Sequence, residues 1–321
     1  MRIAAYIGGA LGLALLITLV VREDFSAMLQ TLALGGWALL WLVPYRGLFF
    51  LLYAVGWFAL LHPYDPKRQA GLGYVFWVTT VREAVDRLLP VASVGGGVVA
   101  VHLMRWRGLG APRVGATVIV EILLTLIALY LFAALGVYLL IDYGTPGEQY
   151  HRIVVALLLT LPVPVITGLL LRYGSVFGRL HRFLRPLVGE GALSEGAAAL
   201  DREVPACLHR WGTLLFAGAL QCVALVSGSF EIWFALRLFG HPIDAKAAIV
   251  LESMTQALRH LAFVVPAGLG VQEAGLVIFG HVLGISGEMA LAVSMAKRLR
   301  EVLCGLPPLA SWQWLEGRRL R

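Results

Sequence analysis

Charge is what this 321-residue chain has least of: Asp, Glu, Lys and Arg together make up 14% of it, where a soluble globular domain carries about a quarter. An ordinary soluble enzyme is thereby excluded. Cysteine is almost as scarce. Cys207, Cys222 and Cys304 lie in or at the ends of apolar stretches without ligand spacing, so they read as membrane-buried thiols that say little about redox compartment. The eight histidines form no His-Glu-x-x-His or other metal-ligand pattern. No serine lies in a nucleophile elbow, and the glycines at 95–97 lack the Lys and Ser/Thr of a phosphate loop. The chain therefore reads as a non-enzyme with no catalytic residues, cofactor or metal. A net charge of +7 and a pI near 9.6 would suit nucleic acid. The basic residues fall mostly between apolar spans, however, where they act as topology determinants and headgroup contacts, and no nucleic-acid partner is expected.

What is there is apolar: 59% of the residues, with a mean hydropathy of +0.81. This is a polytopic membrane protein. A crossing helix needs about 20 apolar residues, and segments 4–21, 29–61, 112–141, 153–171, 207–239 and 289–315 qualify. Segment 4–21 is read as a retained first helix, since no small-residue cleavage site follows it. The second and fifth segments exceed a simple span, and Pro44 is a kink site.

Between the spans lie two broken regions, 71–108 and 245–283. The first reads Arg82-Glu-Ala-Val-Asp-Arg-Leu-Leu-Pro90-Val-Ala-Ser-Val-Gly-Gly-Gly97, the second Arg259-His-Leu-Ala-Phe-Val-Val-Pro266-Ala-Gly-Leu-Gly-Val-Gln-Glu273. Proline and glycine interrupt a helix, and in lipid the freed backbone must be buried in protein or face a water-filled cavity. The arms are marginal as full spans, which favours re-entrant hairpins over two extra crossings each. The stretch 173–203 differs: Phe177, Leu180, Leu184 and Leu187 recur at helical spacing among Arg179, Arg182 and Arg185. It reads either as an interfacial amphipathic helix on anionic headgroups or as a solvated linker between halves. Lys and Arg settle orientation. One side receives Arg2, 67–113, 172–202 and 318–321, the other only Arg22, Arg152 and Lys246, so both termini are expected in the cytoplasm.

The two broken regions share an offset. Pro90 and Pro266 are 176 residues apart (266 − 90), as are Gly108 and Gly284 (284 − 108). His62-Pro-Tyr-Asp65 matches His241-Pro-Ile-Asp244 with a slip of three, and Glu121 falls opposite Lys297. Repeat units of about 29–141 and 207–315 follow, within one transmembrane domain spanning 1–321. The single extra crossing at 153–171 makes the second unit enter the membrane in the opposite sense, giving the inverted repeat of many secondary transporters. The fold class is all-α integral membrane, with about six crossings plus two re-entrant hairpins.

The run at 82–97, the Gly-Val-Gln-Glu of 270–273 and the helix ending Trp57-Phe-Ala-Leu-Leu61 resemble the lysylphosphatidylglycerol-synthase transmembrane (flippase-like) family. Within it the 82–96 run looks closest to HpnL-type membrane proteins associated with hopanoid biosynthesis. The resemblance implies movement of a polar-headed lipid (polyprenoid, hopanoid or phospholipid) between leaflets of a bacterial inner membrane. Founding members carry a soluble aminoacyl-transferase domain after the membrane region, and none is expected here. The chain departs from the family pattern at Gly97, where an acid often follows the glycines.

Ionisable residues inside a membrane are functional candidates, because each costs a few kcal/mol unless paired or solvated. The candidate headgroup site comprises Arg82, Arg87, Pro90, Gly95 and Gly96 at the first break, and Arg259, Pro266, Gly270 and Glu273 at the second. Guanidinium forks suit phosphate oxygens, and half-helix N-termini would add positive potential. The bland alternative is two self-neutralising pairs, Arg82–Asp86 and Glu83–Arg87. Glu273 reads as a proton or cation site, or as a cap of the short helix after it. Glu121 is expected to pair with Lys297 or Arg298 between repeats. Arg46, Arg210, Glu231 and Glu252 are weaker candidates: Arg46 beside the Pro44 kink suggests a polar cavity, and Arg210 a snorkelling contact. Lipid translocation is the leading reading; an ion-coupled small-solute carrier, or a non-transporting partner of lipid-biosynthesis enzymes, are the others.

Overall fold

The computed structural model describes residues 25–89, 95–140, 162–174, 177–179, 192–262, 265 and 268–319. The expected span 4–21, the first part of the expected span 153–171 (153–161), Pro90, Pro266 and the stretch 180–191 lie outside the described residues. Everything described is helix or short connection, with no strand among the described residues.

The described residues open with α1 (Phe25–Gly35), a 3-10 stretch (Gly36–Trp41) and α2 (Leu42–Leu61). The deformation lies before Pro44 rather than at it. Proline cannot donate to the carbonyl four residues back and its ring crowds that carbonyl, so the turn ahead tightens into 3-10 geometry. The first broken region forms a helical hairpin of α3 (Leu72–Leu88) and α4 (Gly95–Arg105), closed by α5 (Ala111–Leu140). After α6 (Pro162–Tyr173) come α7 (Ala192–Leu208) and α8 (Trp211–Leu238). The expected span 207–239 is corrected at its start: Cys207 belongs to α7, the chain turns at His209 and Arg210, and α8 begins at Trp211. Asp201 of α7 accepts the backbone N–H groups of Phe177 and Gly178 at 3.0 and 2.7 Å, tying residues 177–178 to that helix. The second broken region gives α9 (Ala245–Leu261) and α10 (Val271–Val282), closed by α11 (Gly287–Arg319).

Met28–Tyr64, α5 and α8 are long and apolar enough to cross a membrane. Helix α11 has the length, with 33 residues, but Lys297, Arg298, Arg300 and Glu301 lower its hydropathy. The apolar surplus faces outward: Trp37 is 87% exposed and Leu131 58%, which suits lipid and would be costly in water. Each hairpin arm is short. The 17 residues of α3 or α9 reach about 25 Å, against about 30 Å of hydrocarbon.

Packing repeats across the two halves. Helix α2 lies against α8; α3 packs on α11 while α9 packs on α5; each hairpin's second arm packs on its own closing helix. Both cross-packings use a glycine. A Cβ on Gly305 would meet Leu88 Cδ1 at 2.6 Å, and one on Gly136 would run into Ser253, so small residues let the helices approach closely. The hairpins also end alike. Gly108 and Gly284 take φ of 77° and 75°, the left-handed stop that glycine adopts at low cost. The next residues, Leu109 and Ile285, then donate back to Met104 and Gly280. The two His-Pro-x-Asp motifs do equivalent work: Asp65 accepts from the N–H of Gln69 and Ala70 at 2.9 and 2.7 Å, and Asp244 from that of Ala247 at 2.8 Å.

Candidate functional site

Helices α2, α3, α5, α8 and α9 surround a central cavity of about 310 Å³, into which Val265 and Gly268 of the second break also reach. This is within the range of small-ligand sites. Four arginines line it, Arg46, Arg82, Arg87 and Arg259, and so do four acids, Glu83, Asp86, Glu121 and Glu252. Ile122, Leu126 and Leu225 form an apolar wall, with Ile122 51% exposed at the outer surface. The structure thus brings Arg82, Arg87 and Arg259, drawn from both breaks, to one chamber.

Their attachments differ. Arg82 is clamped to Glu121 at 2.5 Å, with its guanidinium 5.2 Å from the Trp57 ring centroid. Arg87 is held loosely, 3.5 Å from Glu83 and 3.7 Å from Glu301. Arg46 is also loose, 3.7 Å from Glu83, and rests over Phe49 and Phe50. Separations of 3.5–3.7 Å exceed a direct hydrogen bond, so these forks retain donor capacity. Acceptor capacity is also unused: Thr79 Oγ1, Gln221 Oε1 and Gln256 Oε1, all in residues lining the chamber, have no hydrogen-bond partner among the described residues. Buried polar atoms are normally satisfied.

The second break is built around a closed ring of polar contacts. Arg259 donates to Gln272 Oε1 (2.8 Å), and Gln272 Nε2 to Ser294 Oγ (2.9 Å). Ser294 Oγ donates to Glu273 Oε1 (2.8 Å), which also accepts from Arg298 Nε (3.2 Å). Arg298 continues to Glu301 at 3.2 Å, and Glu301 closes the circuit to Arg259 at 3.5 Å. Arg298 also donates to the carbonyl of Gly268 at 3.1 Å, meeting the demand of broken backbone in lipid. Further along α11, Lys297 is paired with Glu252 at 2.5 Å, and Arg300 with Glu231 of α8. These charges are buried, and removal of one partner of such a pair costs about 3–5 kcal/mol.

Several sequence expectations are corrected here. Glu121 pairs with neither Lys297 nor Arg298; it takes Arg82, Lys297 takes Glu252, and Arg298 takes Glu273 and Glu301. The reason lies in the packing: α5 and α11 are kept apart by the hairpins, and each charge finds its partner on the hairpin that its own helix closes. Gly95, Gly96, Gly270 and Glu273 do not line the chamber. Gly96 sits so close to Arg82 O and the Asp86 carboxylate that a Cβ has no room. Gly270, at φ 73°, starts α10, and Glu273 turns toward α11. A resident acid lies at the N-terminus of each half-helix. Asp86 accepts the N–H of Gly96 at 2.9 Å, and α10 carries Glu273 in its first turn. Asp86 therefore supplies, from the preceding arm, an acid where Gly97 has none.

Sequence reasoning missed Gln272, Ser294 and the hub role of Glu301. A signal was present: Ser294, Arg298, Glu301 and Gly305 recur at helical spacing, which puts them on one stripe of α11. No curated protein and no solved structure gives a significant match to the chain. The family model for the lysylphosphatidylglycerol synthase TM region matches residues 5–306, and with both hairpins, α5, most of α11 and the chamber inside that range, the chain belongs to this family of lipid-related membrane proteins.

Proposed function

We propose that the protein moves a polar-headed lipid between membrane leaflets, with the headgroup in the central chamber and the tail against its apolar wall. The observation that carries this reading is the presence together of loosely held guanidinium groups, from Arg46 and Arg87, and of side-chain oxygens without a partner among the described residues, in a chamber bordered by the half-exposed Ile122. Guanidinium suits a phosphate and the unused acceptors suit hydroxyl or amine groups on a headgroup. An apolar border favours a lipid over a soluble solute.

The accompanying scaffold is an inverted repeat with two re-entrant hairpins and about six crossings. Its support is the exchanged packing of α3 on α11 and α9 on α5, and the common hairpin stops at Gly108 and Gly284. With its basic side inward, the protein sits in a bacterial inner membrane with both termini cytoplasmic. The HpnL-type resemblance of residues 82–96 points to a hopanoid or polyprenoid precursor among the possible lipids. Lipid-biosynthesis enzymes are then the partner class, and transport rather than catalysis is the activity.

The test is leaflet exchange of fluorescent phospholipids in reconstituted vesicles, read by bleaching from the outside with dithionite. Arg87→Gln removes a loosely held charge while Glu301 keeps its other arginines, so the fold is retained and exchange is lost. Exchange at the rate of the unaltered protein in that variant would overturn the site assignment.

A further inference from the structure

A second cleft, of about 350 Å³, lies at the opposite end of the first hairpin. It is bounded by the start of α3 (Tyr74, Trp77), the end of α4 (Trp106, Arg107) and the end of α11 (Leu315, Arg319), and shares no lining residue with the central chamber. Its rings are fixed from the protein side: Tyr74 Oη donates to Leu103 O at 2.7 Å, and Trp77 Nε1 to Ser311 Oγ at 2.9 Å. Both guanidinium groups rest on aromatic faces, Arg107 over Tyr74 at 4.5 Å and Arg319 over Trp106 at 4.2 Å. Stacking of this kind holds a guanidinium in place while its edge N–H groups stay available.

Neither Arg107 nor Arg319 has a carboxylate within ion-pair distance among the described residues. Glu316, the acid at this end of α11, is engaged by His102 at 3.1 Å and Trp312 at 2.9 Å. Arg105 and Arg318 are exposed nearby in sequence, with the Arg318 guanidinium 3.7 Å from the ring centroid of Trp314. The cleft therefore combines a basic rim with an aromatic and apolar floor. Tryptophan, tyrosine and arginine together mark headgroup depth, and basic pockets between membrane helices take anionic headgroups.

We propose that this cleft binds the phosphate of an anionic membrane phospholipid, held by Arg107 and Arg319, with its glycerol and upper acyl carbons against Trp77, Trp106 and Leu315. The site is separate from the translocation chamber and does not depend on that function. A soluble anion would use the arginines but would leave the aromatic floor unoccupied, which is why the occupant is a lipid.

The test is native mass spectrometry of the purified full-length protein titrated with phosphatidylglycerol or phosphatidylcholine of identical acyl chains. Charge-assisted bonds to two guanidinium groups predict that the unaltered protein takes up phosphatidylglycerol about tenfold more tightly than phosphatidylcholine. The R107A/R319A double variant loses that preference, whereas R113A, at an exposed arginine that lines neither cavity, keeps it. Equal affinity for the two lipids in the unaltered protein would overturn the proposal, and needs no variant to fold. So would full preference in R107A/R319A, loss of the preference in R113A, or displacement of the lipid by millimolar inorganic phosphate.

Discussion

Arg87 and Arg259 reach the same oxygen, Glu301 Oε1, at 3.7 and 3.5 Å, although they come from different hairpins. One carboxylate on α11 thereby joins both broken regions. Arg298 and Arg300 also lie against it, at 3.2 and 3.7 Å. The acid is outnumbered, and its charge is what lets the arginines sit together.

Glu301→Gln keeps the shape and removes the one carboxylate that Arg87, Arg259, Arg298 and Arg300 share. Loss of one partner from such a cluster predicts destabilisation of about 3–5 kcal/mol. It is measured as a lowered midpoint of thermal unfolding in detergent. An unchanged midpoint would show that the arginines are neutralised by other means.

Arg82 and Glu121 allow structure and transport to be separated. Arg82→Gln alone strands a buried carboxylate and destabilises by about 3–5 kcal/mol. The double variant R82Q/E121Q removes both charges and recovers most of that loss, as paired replacement of a buried ion pair commonly does. The recovered protein is then assayed for leaflet exchange. Full exchange in the double variant would assign the pair to folding alone.

The matching hairpin stops predict matching penalties. Gly108→Ala and Gly284→Ala each force a side chain into the left-handed region, costing about 1–2 kcal/mol apiece. A Cβ at Gly284 meets nothing within 4 Å, so backbone strain is the whole effect there; at Gly108 it meets only the far end of the Gln69 side chain. Gly73→Ala, in a helical position with nothing within 4 Å, serves as the control and is expected to stabilise slightly. Denaturant titration of the three variants reads the comparison.

The glycine crossings predict a steric penalty. Gly305→Leu pushes α3 from α11 at Leu88, and Gly136→Leu pushes α9 from α5 at Ser253. Overpacking of this kind costs about 1–3 kcal/mol. Cross-linking between cysteines placed on α3 and α11 would weaken in the first variant and be unaffected by the second.

The all-helical class, the hairpins and their 176-residue spacing were legible because apolar runs and Pro/Gly punctuation are local signals. So was the coming together of Arg82, Arg87 and Arg259, since each flanks a break. Partner choice was not. Glu121 and Lys297 match in sequence offset, yet offset says nothing about which helix lies between them, and the hairpins do. The start of α8 was missed because Pro205 and Cys207 sit in an apolar run, where the turn at His209 and Arg210 has only a weak signature. Gln272 and Ser294 carry no charge to draw attention, and their role emerges only when α10 is laid against α11.

The bond from Gly96 to Asp86 gives the first hairpin a resident competitor. A carboxylate fixed ten residues away by the chain is present at an effective concentration that no diffusing phosphate approaches. Any anion seeking that backbone amide must evict a tethered rival, while one seeking a guanidinium fork meets partners already held at arm's length. Selectivity for an anion in this half of the molecule thus passes from fixed backbone to movable side chains.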